Sequence, residues 1–214
     1  TGLENLFGVY GYALQIYCDF SGYTDMAIGI ALLLGYKLPV NFNSPYQSAS
    51  ITEFWRRWHI SLSTWLRDYL YISLGGNRKG KIRTYINLMI TMLLGGLWHG
   101  AALKFVIWGA LHGAGLAVEK FIGSVVQIPK NKLTRVLGVI ITFHFVCFAW
   151  VYFRADNMAV VNAMLTQITT AFHPEILGDF IKGYPYILML MAFGYLIHFI
   201  PSHIELQTQQ LVVK

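Results

Sequence analysis

The chain has 214 residues, of which 56% are hydrophobic and only 12% charged, whereas soluble domains average about 25% charged. With a positive mean hydropathy, this leaves too little polar surface for a water-soluble globule, and the composition is that of a membrane protein. The net charge of +6 comes from basic residues that border apolar stretches instead of forming a face with base-stacking aromatics, which argues against nucleic-acid binding.

In chain order, apolar segments fall near 6–36, 84–121, 134–153 and 184–201, against the roughly 20 residues that span a bilayer as a helix. The expected fold is an all-α integral membrane protein: a multi-helix bundle with a re-entrant or broken helix pair and an interfacial amphipathic helix. The chain opens in apolar material at LFGVYGYALQIY, with no initiator Met and no cleavable leader pattern, and reads as part of a longer polypeptide. The first span carries Asp19 and Asp25, which fall about 240° apart around a helix by its 3.6-residue period and so do not act on one atom. With Ser21, Tyr23 and Thr24 they read as polar glue between helices or as separate functional groups. Cys18 and Cys147 sit inside apolar runs, which indicates no disulfide framework. No His-x-x-x-His or Cys-x-x-Cys spacing points to a metal, and no G-x-S-x-G motif supports a nucleophile at Cys18 or Ser21.

Between the first two apolar segments lies NFNSPYQSASITEFWRRWHISLSTWLRDYLYISLGGNRKGKIR. Ser50 and Glu53 have capping-box spacing and predict a helix start. From there Trp55, Trp58, Leu62, Trp65, Leu66 and Tyr69 recur at helical spacing. Arg56, Arg57, Ser63, Thr64, Arg67 and Asp68 fall mostly elsewhere. The result is one amphipathic helix lying in the membrane interface, ended by Gly75 and Gly76. Arg78, Lys79, Lys81 and Arg83 follow, a cluster that the positive-inside tendency assigns to the cytoplasm.

The apolar stretch 84–121 is too long for one ordinary span, and it has basic residues before it and Lys120, Lys130, Lys132 and Arg135 at or after its end. Both ends are therefore cytoplasmic, and the stretch folds as a hairpin or re-entrant pair. The chain is expected to reverse at GGLWHG, residues 95–100, where three glycines weaken helix. His99 then sits at a break within the membrane, since 84–99 as helix rises only about 24 Å. Irregular backbone at that depth lines a cavity or is buried in protein.

Four further histidines compete with it. His112 lies four residues after Trp108 on the return helix, His144 sits mid-span in TRVLGVIITFHFVCFAWVYF, His198 is near a membrane end, and His59 is interfacial. An ionisable side chain inside a span marks function by default, but an imidazole also serves as a neutral hydrogen-bonding link between helices. Intramembrane His and Asp residues equally mark proton-coupled transporters, which remain the alternative.

The runs YCDFSGYTDMAIGIALLLGY, NFNSPYQSASITEFWRRWHISLSTWLRDYLYISLGGNRKGKIRTYINLMITMLLGGLWHG, WGALHG and FHFVCFAWVYFRA closely resemble the membrane-bound O-acyltransferase family. The resemblance is to its bacterial branch, which acetylates alginate and peptidoglycan, and it covers nearly the whole chain. It implies a multi-pass protein of the bacterial inner membrane, of which 1–214 is the C-terminal part of one membrane domain. It further implies a tunnel in which an essential histidine, here His99, meets an acyl donor from the cytoplasm and an acceptor from the opposite side. His99 is then the base for the acceptor hydroxyl, a task suited to an imidazole of pKa near 6.5. His144 orients it or shares the proton, and His112 is a further candidate in a hydrogen-bonding role.

The expected donor is acetyl-CoA, with no tightly bound cofactor, and Arg56, Arg57 and Arg67 are the candidates for its phosphates. Their alternative role is membrane anchoring. The expected acceptor is a polysaccharide hydroxyl or an extracytoplasmic SGNH-like partner protein that passes the acetyl group on.

Overall fold

A computed structural model describes residues 1–200. The end of the apolar segment 184–201, and of the domain expected over 1–214, lies outside the described residues. Within them every regular element is helical, in keeping with the expected all-α class. The chain forms two compact units, Thr1–His173 and one beginning at Pro174.

Helix α1, Gly2–Leu33, starts with a full capping box between Thr1 and Glu4, which satisfies two backbone donors left orphaned at a helix start. Helices α2, Ile51–Arg57, and α3, Ile60–Trp65, are followed by a π-helical turn over Leu66–Tyr71. Helices α4, Lys81–His99, and α5, Leu103–Val125, form the expected hairpin. Helix α6, Lys132–Arg154, is capped by Asn131 and Thr134 reciprocally, and α7, Met158–Thr170, by Asn157. In the second unit, α8, Leu177–Gly183, meets α9, Pro185–His198, at a bend of 96°.

Helices α5 and α6 are each long and apolar enough to cross a membrane, and the bent pair would make a third span if it acts as one. Helices α1 and α4 are less apolar, because α1 carries Asp19 and Asp25 and α4 carries Asn87 and Thr91.

Two expectations about local structure change. The reversal does not use Gly95 and Gly96; α4 stays helical through both, and the chain turns only over residues 100–102. The glycines serve packing instead. A Cβ on Gly96 would stand 2.3 Å from the Phe105 carbonyl oxygen, and one on Gly109 would stand 2.3 Å from that of Met92. Small residues let the two backbones touch, which is how helices associate where lipid removes the hydrophobic drive between them.

The second change concerns the interfacial helix, which is interrupted at Trp58 and His59. Only half of its capping box forms: Ser50 accepts from the Glu53 backbone N–H, while the Glu53 carboxylate turns to the Ala49 N–H at 2.8 Å.

The core of the first unit is unusually aromatic. Tyr46, Phe54, Trp58, Trp108 and Trp150 are all buried and gather residues from α2, α5, α6 and the 45–47 turn. Rings with dipolar edges stack and meet edge to face in such clusters, which adds directionality to burial.

Candidate active site

His99 is the last residue of α4. Its ring meets Trp108 at 5.2 Å and Phe153 at 5.1 Å, both edge to face, with Trp98 at 4.9 Å and Phe105 at 6.3 Å between centroids. Trp98 is 64% exposed among the described residues. His99 is half-buried, and among the described residues neither of its ring nitrogens has a hydrogen-bond partner. The reversal that follows it is pinned: the Lys104 ammonium donates to the Ala155 carbonyl at 2.6 Å, and Ala155 caps the end of α6.

His112 is entirely buried. The Trp55 indole N–H donates to its Nδ1 at 3.2 Å, and Trp108 lies 4.8 Å from it between centroids. An indole only donates, so Nδ1 is unprotonated and the neutral ring carries its hydrogen on Nε2. His112 thus links the α2 segment to the ring against which His99 rests.

His144 lies elsewhere, exposed on α6. Its Nδ1 stands 2.8 Å from the Ile140 carbonyl, which fixes that nitrogen as the donor. In the neutral ring Nε2 then accepts from the Tyr10 hydroxyl at 3.0 Å. Both nitrogens are occupied by protein groups, and no ring contact joins His144 to His99.

His59 stands in the interfacial segment, as sequence reasoning placed it, at the break between α2 and α3. It lies outside the apolar spans, its ring packs on Phe20 at 4.7 Å, and its nitrogens are likewise unpartnered among the described residues. Burial pushes its imidazole down to about 4, and the nearby His99 ring adds to the effect. The signal that could have revealed it, a break inside a strongly periodic segment, is not local: Asn41 and Asn43 hold that break from outside the helix.

A cleft of about 590 Å³ opens between α2, the π-helical turn, α4 and α5. Arg56, Arg67 and Lys120 bring positive charge to it, Glu119 a negative one, and Ser63, Thr64 and Thr91 bring hydroxyls. Trp55 and Met92 also line it, so the indole that donates to His112 forms part of the wall. Arg57 does not line this cleft; it is paired with Glu53 at 2.9 Å and donates to the Asn43 carbonyl at 3.0 Å. Arg67 lines the cleft while chelating Asp68 at 2.7 and 3.1 Å. His99 lies seven residues beyond Met92 on α4, about 10 Å along the axis. Among the described residues no group of three or more His, Cys, Asp or Glu side chains could hold a metal ion.

The arrangement is that of a membrane helix bundle with an uncommitted imidazole at a helix end and a cationic cleft some two turns away. Known proteins share the sequence that builds it. The chain is 58% identical over 160 residues to a probable alginate O-acetylase of Pseudomonas aeruginosa, covering 73% of this chain and 30% of that protein. A peptidoglycan O-acetyltransferase of Helicobacter pylori is 51% identical over 147 residues, 69% of this chain and 28% of that one. A teichoic acid D-alanyltransferase of Bacillus subtilis is 38% identical over 162 residues, 71% and 41% of the two chains. The chain thus spans well under half the length of these relatives. The sequence profile of the membrane-bound O-acyltransferase family matches residues 6–161, which include most of α1, the broken interfacial segment, the α4–α5 hairpin and His99. On that match the chain belongs to the membrane-bound O-acyltransferase family.

Proposed function

We propose that this chain is part of a multi-pass inner-membrane acetyltransferase. It carries acetyl groups from a cytoplasmic thioester, acetyl-CoA, to a hydroxyl of an extracytoplasmic polysaccharide or of an SGNH-like partner protein. The observation that carries the reading is His99: an imidazole with both nitrogens available, at the end of a helix and walled by aromatic rings. The acceptor oxygen attacks the thioester carbonyl while its proton passes to His99, and the same proton returns to the leaving sulfur. A desolvated site favours the neutral, basic ring.

The cationic cleft supports a donor site. Arg56, with Lys120 in the same lining, presents a guanidinium fork suited to phosphate oxygens, whereas the fork of Arg67 is held by Asp68 and adds to the site only after that pair opens. Arg57 serves the fold through Glu53. The basic residues at 78–83 and 130–135 set this end toward the cytoplasm, and residues 154–183 toward the other side. A membrane-impermeant thiol reagent should accordingly label a cysteine placed at Asn157 from outside only.

The deciding experiment reconstitutes the full-length protein in liposomes with radiolabelled acetyl-CoA and an oligosaccharide or partner domain. Transfer of label that is lost in His99→Gln supports the reading. Proton-coupled solute flux without transfer would replace it with a transporter, and neither activity would leave an inert scaffold.

A further inference from the structure

The cleft between α2, the π-helical turn, α4 and α5 holds charges of both signs, and they are not used alike. Glu53 pairs with Arg57 at 2.9 Å and Asp68 with Arg67 at 2.7 Å, so two carboxylates neutralise two of the guanidiniums of this region. Arg56, Lys120 and Glu119 share the lining, yet among the described residues none of the three stands in a salt bridge. Opposite charges in a partly desolvated cleft attract more strongly than in bulk water, so charges held apart there call for a reason.

Glu119 is fixed by backbone. The Thr52 N–H, in the first turn of α2 where a helix has no internal acceptor for it, donates to Glu119 Oε2 at 3.0 Å, across 67 residues of chain. The other oxygen of this half-buried side chain, Oε1, has no partner among the described residues. An ionised carboxylate only accepts hydrogen bonds. A cleft that offers cations together with one open, fixed carboxylate oxygen therefore suits a ligand of mixed character: an anionic group, with an N–H or O–H close beside it. Trp55 in the same lining gives a ring on which a planar base can lie, and a volume of about 590 Å³ is within the range of small-molecule sites.

We propose that Glu119 makes this cleft specific for the nucleotide end of a free coenzyme A thioester: Arg56 and Lys120 take phosphate oxygens, and Oε1 of Glu119 accepts an N–H or O–H of the nucleoside. The inference rests on the acyltransferase reading and narrows its donor. The same acetylated arm carried on a protein ends in one phosphate and brings no nucleoside, so it would set an anion beside Glu119 and give that carboxylate nothing to accept. Specificity is a difference of affinities, and a repulsive group contributes to it as much as an attractive one. Glu119 acts in both senses, holding the free donor and turning away the carrier-bound arm.

Glu119→Gln isolates the open oxygen. The glutamine carbonyl can still accept the Thr52 N–H, while the NH2 group, which only donates, replaces Oε1. The experiment compares binding of two radiolabelled thioesters to the full-length protein in proteoliposomes: acetyl-CoA, and S-acetyl-phosphopantetheine, which keeps the arm and one phosphate and lacks the nucleotide. The wild type should bind acetyl-CoA about 10-fold more tightly or better. Glu119→Gln should weaken acetyl-CoA by about 10- to 100-fold, the contribution of one hydrogen bond to a charged group, without weakening S-acetyl-phosphopantetheine or changing membrane insertion. Equal wild-type affinity for the two thioesters would overturn the proposal. So would a Glu119→Gln protein weakened for both alike, which would make Glu119 a fastener of α5 to α2, or one weakened for neither. Transfer of label to an oligosaccharide or partner domain is measured in the same vesicles. If Glu119→Gln keeps wild-type donor affinity while label is transferred, only the role of Glu119 fails; if the wild type binds neither thioester and transfers no label, the parent reading fails with it.

Discussion

The end of α4 and the interiors of α5 and α6 each hold imidazoles in apolar surroundings, but they treat them differently. At the helix end and the facing break, His99 and His59 keep their nitrogens clear of protein partners. In the helix interiors, His112 accepts from Trp55 and His144 is held by Ile140 and Tyr10. A mid-helix imidazole meets carbonyls of its own helix and side chains of its neighbours, and it settles into a fixed tautomer. An imidazole at an end or a break has lost part of that company. On the proposed reading, chemistry in this bundle goes to the histidine that secondary structure leaves unoccupied, and depth in the membrane is the weaker guide.

The largest expected effect tests that contrast directly. His99→Gln keeps size and hydrogen bonding but accepts no proton, so transfer in proteoliposomes should fall by about 10²- to 10⁴-fold, whereas His144→Gln should retain most of its turnover. Equal losses in the two variants would break the comparison.

The same reasoning extends from imidazoles to guanidiniums. Arg56 faces the cleft and Arg57 is committed to Glu53. Arg56→Gln should raise the acetyl-CoA KM by roughly 10-fold, the loss of one charge-assisted hydrogen bond. Arg57→Gln should lower thermal stability in detergent and leave that KM alone; a KM that rises only in Arg57→Gln would reverse the assignment.

A smaller effect is expected at His112, where alanine removes the acceptor of the half-buried Trp55 N–H. The expected cost is about 1–3 kcal/mol in detergent unfolding, with catalysis reduced less than in His99→Gln. Smallest of all is Tyr10→Phe, which deletes one interhelical hydrogen bond to His144 and should cost only ~0.6 kcal/mol in the same measurement. A loss of activity in Tyr10→Phe comparable to that of His99→Gln would move His144 into the chemistry.

Much of this architecture is legible in the sequence because its causes are local. Apolar runs locate the long helices, Ser50 marks a helix start through its own side chain, and the flanking lysines and arginines frame the hairpin. His99 is legible because GGLWHG stands out inside such a run. What escapes has distant causes. Gly95 and Gly96 carry the same composition whether they turn a chain or admit a neighbouring backbone, and only Phe105 and Gly109 on the return helix decide between the two. The break at His59 is imposed by Asn41 and Asn43 across 14 to 20 residues of chain, against a helical periodicity that is otherwise continuous. The partner of His144 lies 134 residues away.

The tie between Lys104 and Ala155 bears on how the protein meets bilayers of different thickness. Helices commonly answer a thicker or thinner bilayer by tilting or by shifting against lipid. Here the short reversal after His99 is hooked to the last turn of α6, and α4 is locked to α5 by backbone contact at Gly96 and Gly109. The His99 imidazole thus takes its depth from neighbouring helices and not from the hydrocarbon around them, so a change of lipid should move this part of the bundle as one body.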